Sequence, residues 1–268
     1  MAHVRTSFPV GPLPTAMGTA EFEPITPTAA LLLLDGMESS YVDLADPSHL
    51  EFEYMQQMDL ALAAHIPAPT PIRALHLGGA ACTLARAWNA TRPGSKQVVL
   101  EWDAKVGELA RAFCDVPRAP AVKIRIQDAR AGLDGFPANR FEVIVRDTFA
   151  NGQVPDHLRT LGVAQAARRV LGERGLYLAN LTDHPPLMMT RSEVQTIGAV
   201  FRHVLVIADP AILRGRRFGN LVICASDTPF ITSQLIRQLR CLPLPVTTLL
   251  GDKLTAFTGT APLLTDCP

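Results

Sequence analysis

IRALHLGGAACT (Ile72–Thr83) carries the reading of the fold. Its apolar run is short, ends in two glycines and leads into CTLARAWNA (Cys82–Ala90), which has helical spacing and stops near Pro93 and Gly94. A buried strand feeding a helix through a glycine turn is the building unit of a parallel sheet. The unit recurs downstream. QVVLEWD (Gln97–Asp103) and AKVGELARAFC (Ala104–Cys114) read as a second strand and helix, VKIRIQDAR (Val122–Arg130) as a third strand and FEVIVRDTF (Phe141–Phe149) as a fourth. Asp156–Leu171 reads as the next helix, and Gly172 and Gly175 flank the turn into LYLANL (Leu176–Leu181), the fifth strand.

After a helix over Arg191–Phe201 come HVLVIAD (His203–Asp209) and GNLVICASD (Gly219–Asp227), joined by a turn carrying Arg214, Arg216 and Arg217. The turn leaves no room for a crossover helix, so these two strands are expected to form an antiparallel hairpin at the sheet edge. The expected fold is α/β, a doubly wound, mainly parallel, seven-stranded sheet with helices on both faces. Five parallel units closed by an antiparallel hairpin resemble the class I methyltransferase-like variant of the Rossmann fold. That domain is placed at residues 67–230.

Upstream, LLLLDG (Leu31–Gly36) and SSYVDL (Ser39–Leu44) predict a small β-hairpin around an Asp-Gly turn, and FEYMQQMDLALAAHI (Phe52–Ile66) predicts a helix ended by Pro67, Pro69 and Pro71. These make up residues 29–66. Residues 1–28 are rich in Pro, Thr and Gly and read as an irregular arm, while residues 231–268 read as one helix (Ser233–Arg240) and a loop-rich tail.

The totals bound the function. A chain of 268 residues, 48% hydrophobic and 19% charged, fills one large domain with at most a small appendage. Lys plus Arg and Asp plus Glu each count 25, so no net field favours nucleic acid or an anionic membrane as partner. Cys82, Cys114, Cys224, Cys241 and Cys267 lack CxxC spacing and read as buried free thiols, with no metal site. The start has no signal-peptide pattern, and no apolar run approaches the roughly 20 residues that span a bilayer, so a cytoplasmic protein is expected.

In a doubly wound sheet, ligands sit at the carboxyl ends of the strands where the strand order reverses. Four segments of this chain end there. Gly78 and Gly79 let the backbone approach a ligand, although a glycine pair alone also fits a plain tight turn. Glu101 ends the second strand roughly 20 positions beyond the glycines, the place of a carboxylate that accepts from both ribose hydroxyls. Asp128 and Ala129 end the third strand, where a side-chain acceptor meets an adenine amino group. Asp147 ends the fourth. Each acid alone also fits a helix cap or a surface carboxylate, but the glycine loop and the three acids together point to a nucleoside. His76 reads as a packed strand residue, and His157, His184 and His203 as satisfied or solvated.

These segments resemble the polyamine aminopropyltransferases, the spermidine and spermine synthase family, from about Leu31 to Asp227. The resemblance rests on LLLLDG, on Phe52–Met58 with its Tyr54, on LGGAACTL (Leu77–Leu84) at a glycine loop, on Glu101 with Asp103, on Asp128 with Ala129, on Asp147, and on Val154–Leu158 leading to the next helix. It implies aminopropyl transfer from decarboxylated S-adenosylmethionine to an amine, with no tightly bound cofactor. Asp147 matches the family's base and Tyr54 helps to position the amine. Family acids are replaced at Ala80, Ala150 and Gln56, and the family's hairpin Gln falls near Ser39. The nucleoside half of the site thus matches while the amine half is depleted, with Glu38, Glu53 and Asp183 as candidate substitutes. Loss of the acid at Ala80 also admits intact S-adenosylmethionine and methyl transfer. A non-catalytic nucleoside-binding homologue is the third reading. Small-molecule nucleoside and amine are the implied partners, and the family's habit implies a homodimer.

Overall fold

The computed structural model describes residues 8–266. Two sheets organise them. At the N-terminal end β1 (Leu13–Pro14), β2 (Thr19–Pro24), β3 (Ala29–Leu34) and β4 (Met37–Asp43) form an antiparallel sheet in that order. Its β3–β4 pair is the expected hairpin. The two-residue turn has φ 50° at Asp35 and 72° at Gly36, the left-handed pair that matches the twist of the flanking strands.

The hairpin is nevertheless half of the sheet, which corrects the reading of residues 1–28 as irregular. In β2, Ala20 and Phe22 are buried while Thr19, Glu21 and Glu23 are exposed, and Phe8 stacks on Phe22. This alternation of period two is so short that the surrounding Pro and Gly hid it. Residues 1–7 of that arm lie outside the described residues.

α1 (Glu53–His65) falls within one residue of its expected ends and packs on the second sheet. That sheet is built from β5 (Arg73–Leu77), α2 (Thr83–Thr91), β6 (Lys96–Glu101), α3 (Ala104–Phe113), β7 (Val122–Ile126), α4 (Ala129–Asp134) and β8 (Phe141–Arg146). The chain continues through α5 (Leu161–Val170), β9 (Leu171–Asp183), α6 (Met188–Gly198), β10 (His203–Ala208), α7 (Pro210–Leu213), β11 (Gly219–Ser226), α8 (Thr232–Leu239), β12 (Thr247–Leu250) and α9 (Asp252–Thr258).

The strand order is β12-β10-β11-β9-β8-β5-β6-β7. β7, β6, β5, β8 and β9 run parallel, and β11 is antiparallel to both β9 and β10. The doubly wound α/β fold is therefore the expected one, with eight strands where seven were expected. The extra strand, β12, comes from the tail and pairs with β10, so the β10–β11 hairpin does not end the sheet. Alternation along β5 feeds two cores: Leu75 and Leu77 face α4, α5 and α6, and Ala74 faces α1, α2 and α8. Each such leucine contributes about 1.5–3 kcal/mol by leaving water.

Three elements differ from expectation for local reasons. The helix expected over Asp156–Leu171 is a 3-10 turn (Asp156–Leu158) followed by α5, because the Thr160 side chain accepts from the Val163 amide and starts a new helix. α6 begins three residues before the expected Arg191. The turn after β10 contains α7, whose N-terminus is capped by Asp209. Among the cysteines, Cys82, Cys114 and Cys224 are buried free thiols, but Cys241 is exposed and Cys267 lies outside the described residues. No helix among the described residues is long and apolar enough to cross a membrane.

Candidate functional site

The order reverses between β5 and β8, and the chain is locked there. Gly78 donates its amide to Leu100 O at 3.0 Å, and Asp147 donates its own to Leu77 O at 2.9 Å. Gly78 has φ +93°, and a Cβ at this position would lie 2.2 Å from the Asp147 carbonyl oxygen. Only glycine permits the β5 and β8 ends to come this close. The loop then passes through left-handed conformations at Ala80 and Cys82 before α2. Non-glycine residues are held there only by the surrounding structure.

Glu101 ends β6 beside this loop. Its Oε2 accepts from the amides of Gly79 (3.1 Å) and Ala80 (3.0 Å), and its Oε1 accepts from the Asp103 amide at 3.0 Å. Burial raises the Glu101 carboxyl above its ordinary value, opposed by these three amide bonds. Asp103 serves the architecture. Its Oδ1 caps α3, and its Oδ2 accepts from the Ala16 amide at 2.7 Å, which brings the strand-linking segment around Met17 to the rim of the site.

Asp147 follows β8 and is half-buried. Two side chains address its carboxylate: Tyr54 Oη donates to Oδ2 at 2.9 Å, and Asn180 Nδ2 donates to Oδ1 at 2.9 Å. Burial pushes the Asp147 carboxyl upward, opposed by the bonds from Asn180 and Tyr54 and by the neighbouring Arg146 charge. Burial and Asp147 together push the Tyr54 phenol well above its ordinary range, so it remains a donor. Behind the site, Arg146 and Arg159 both pair with Glu193 in a fully sequestered triad.

Asp128 is placed at the end of β7 as expected, but its carboxylate already has work. Oδ1 caps α4 at the Ala131 amide (3.0 Å), and Oδ2 pairs with His157 Nε2 at 3.1 Å. Burial raises this carboxyl, and the Ala131 amide and His157 outweigh it, for a net lowering. Asp128 and Ala129 border the same cavity.

One cavity of about 1160 Å³ joins the glycine loop, the strand-end acids and the side chains that address Asp147. Gly78, Gly79, Glu101, Asp128 and Ala129 line it, and so do Tyr54, Asp147 and Asn180. Glu38 and Glu53, candidate replacements for the missing acids, also line it. Asp183 does not: it is buried, with its oxygens accepting from the amides of His184 and Thr190 and from the Thr190 hydroxyl. Gln56 is turned aside, donating to Leu50 O at 2.6 Å. His76 is packed against Trp88, bonded to Gln97 and lowered to about 4 by burial. Of the arginine cluster, Arg217 reaches the cavity wall, paired with Asp209 at 2.5 Å.

Sequence reasoning missed Asn180, although an amide inside the otherwise apolar LYLANL strand was a visible signal. It also missed Gln57, one helical turn beyond Tyr54 and therefore on the same face of α1. The contribution of Met17 carried no signal, because it depends on the fold of the arm.

Comparison with known proteins gives a consistent picture. No family model matches the chain. A probable spermidine synthase from Corynebacterium glutamicum ATCC 13032 is 35% identical, with a TM-score of 0.92 over 98% of this chain and 98% of that one. A polyamine aminopropyltransferase from Vibrio vulnificus (strain CMCP6) is 23% identical over 193 residues. That match covers 69% of this chain and 60% of the relative's length. Human methyltransferase-like protein 13, solved with SAH, shares the fold at a TM-score of 0.57 and 20% identity, over 70% of this chain and 89% of that one.

Proposed function

The chain belongs to the spermidine synthase-like family, and from that premise we propose that it transfers an aminopropyl group from decarboxylated S-adenosylmethionine to an amine. The observation that carries this reading is the Tyr54–Asp147–Asn180 cluster, opening into the same cavity as the Gly78–Gly79 loop and Glu101. An ammonium has no lone pair, so the acceptor must lose a proton before it attacks. Asp147 takes that proton. The nitrogen pair then forms a bond to the carbon beside the sulfonium, and the C–S pair leaves with sulfur as a neutral thioether. Glu101 holds the ribose, with Asp128 and Ala129 beside the adenine. The sulfonium carbon is already activated, so alignment supplies much of the rate.

Glu38 and Glu53 on the cavity wall support a cationic acceptor, because a desolvated ammonium needs acidic partners. Calorimetry with S-adenosylmethionine, its decarboxylated form and methylthioadenosine tests the reading. Preference for the decarboxylated donor, together with amine alkylation that Asp147→Asn abolishes without loss of nucleoside binding, is the expected result. Wild-type turnover in Asp147→Asn would remove Asp147 as the base. Preference for the intact donor would mean methyl transfer, the reading that Ala80 admits. Absence of all binding would leave a homologue that retains only the fold.

A further inference from the structure

Among the described residues, nine carboxylates line the cavity, and Arg217 is the one arginine or lysine beside them. A fixed cation on the wall of a site for cationic ligands repels what the site binds, so its place carries information. Arg217 Nη2 donates to Asp209 Oδ2 at 2.5 Å, across the turn that follows β10. Asp209 Oδ1 is committed to the Ala211 amide at the start of α7, so Arg217 holds the other oxygen. Arg214, whose charge also reaches Asp209, does not line the cavity.

Sheet register places this pair relative to the candidate base. Asn180, which donates to Asp147, pairs with Val222 of β11, and Thr182 pairs with Asn220. Residues two apart on a strand share a face, as do residues directly opposite on neighbouring strands. Asn180, Thr182 and Asn220 therefore lie on one side of the sheet. Leu221 pairs with Ala208 at the end of β10, which sets the next residue, Asp209, beside Asn220. Asp147, Asn180, Thr182, Asn220 and Asp209 all line the cavity. They make a polar row over the ends of β8, β9, β11 and β10, three strand spacings or about 14 Å across the sheet.

We infer that Arg217 sets the length of the acceptor: it holds the carboxylate at the far end of this row and turns away a longer polyamine in favour of a short diamine. The inference rests on the aminopropyl-transfer reading and adds a specificity-determining residue remote from the reacting centre. 1,4-Diaminobutane, five bonds from nitrogen to nitrogen, spans about 6 Å when extended and ends short of Asp209. N-(3-aminopropyl)-1,4-diaminobutane, nine bonds long, spans about 11 Å, and the side chains at the two ends close the rest. Its far ammonium then meets a carboxylate that already carries a guanidinium. The two cations repel, and Arg217, tethered 8 residues along the chain from Asp209, stays at high local concentration.

The test uses the full chain, decarboxylated S-adenosylmethionine as donor and these two amines as acceptors. Wild type should favour the diamine in kcat/KM. Arg217→Gln should raise kcat/KM for the triamine on the order of tenfold, through KM, and so narrow the preference. Arg217→Lys keeps the positive charge and should keep the wild-type preference. Asp209→Asn combined with Arg217→Gln retains a capping side chain for α7 but no carboxylate, and should return the triamine to its wild-type value. A merely structural Arg217 would lower both amines together and leave their ratio alone. That result, a triamine gain that survives in the double variant, or a wild type that already prefers the triamine overturns the inference, while amine turnover keeps the underlying reading intact. A wild type that binds methylthioadenosine but alkylates neither amine overturns both.

Discussion

Gly78→Ala probes the contact on which the site is built. The new methyl would stand 2.2 Å from the Asp147 carbonyl oxygen, where real Cβ atoms essentially never come within 3.0 Å, and 3.0 Å from Thr148 Cγ2. Backbone, not a flexible side-chain tip, receives the clash, so the end of β8 must move away from β5. Overpacking of this kind costs about 1–3 kcal/mol. The left-handed backbone at φ +93° adds about 1–2 kcal/mol for an L-residue. A total of about 2–5 kcal/mol is a large share of an ordinary domain's stability but leaves it folded. Urea unfolding should therefore show a lower midpoint with an unchanged slope, and calorimetry should show weaker methylthioadenosine binding, because the moved segment carries Asp147. Gly79→Ala is the control. Its φ is not left-handed and its methyl meets the Val99 and Glu101 side chains, so nucleoside binding should suffer with a smaller loss of stability. A Gly78→Ala protein that unfolds and binds like wild type would refute the close approach of β5 and β8 as the organiser of the site.

Tyr54→Phe removes a donor to the Asp147 carboxylate, worth about 1.5–3 kcal/mol for a charged acceptor. In the proposed reaction Asp147 accepts the proton only when ionised, so the acid limb of log kcat/KM should move to higher pH by about one to two units. A limb that stays in place excludes Asp147 as its origin. Glu101→Ala strips the acceptor from the Gly79, Ala80 and Asp103 amides and should weaken methylthioadenosine binding by about 1–3 kcal/mol; unchanged affinity in calorimetry removes Glu101 from the site. Glu193→Gln leaves Arg146 buried without its ion-pair partner and Arg159 with only the exposed Asp156 at 3.4 Å, and should cost about 3–5 kcal/mol in urea unfolding. A loss below about 1 kcal/mol would show that water reaches the triad.

Burial of Asp147 has a consequence for stability as well. Its folded carboxyl titrates above the unfolded value, so the folded state binds the proton more tightly and the group's contribution to stability falls as pH rises through that interval. Asp147→Asn cannot ionise and should lose this dependence.

By itself the sequence determined the parallel sheet, the helices on its faces and the loop of Gly78 and Gly79, because these depend on hydrophobic period and turn chemistry within a few residues of chain. It also located Glu101, Asp128 and Asp147, because strand ends in a doubly wound fold converge whatever lies between them. The tertiary structure alone decided what each of these acids meets. Asp128 is drawn into a helix cap and an ion pair, Asp183 is occupied by Thr190, and Asp147 is aimed into a cavity by Tyr54 and Asn180, respectively 93 and 33 positions away in the chain. β2 and β12 were hidden for a related reason. Strands of four to six residues, β12 at its sheet edge and β2 flanked on one side only by the two-residue β1, carry too little pattern to stand out, and they become strands only when a neighbour offers its unpaired amides and carbonyls. Local order is written in neighbours along the chain; the state of a buried polar group depends on which distant residues fill its hydrogen bonds.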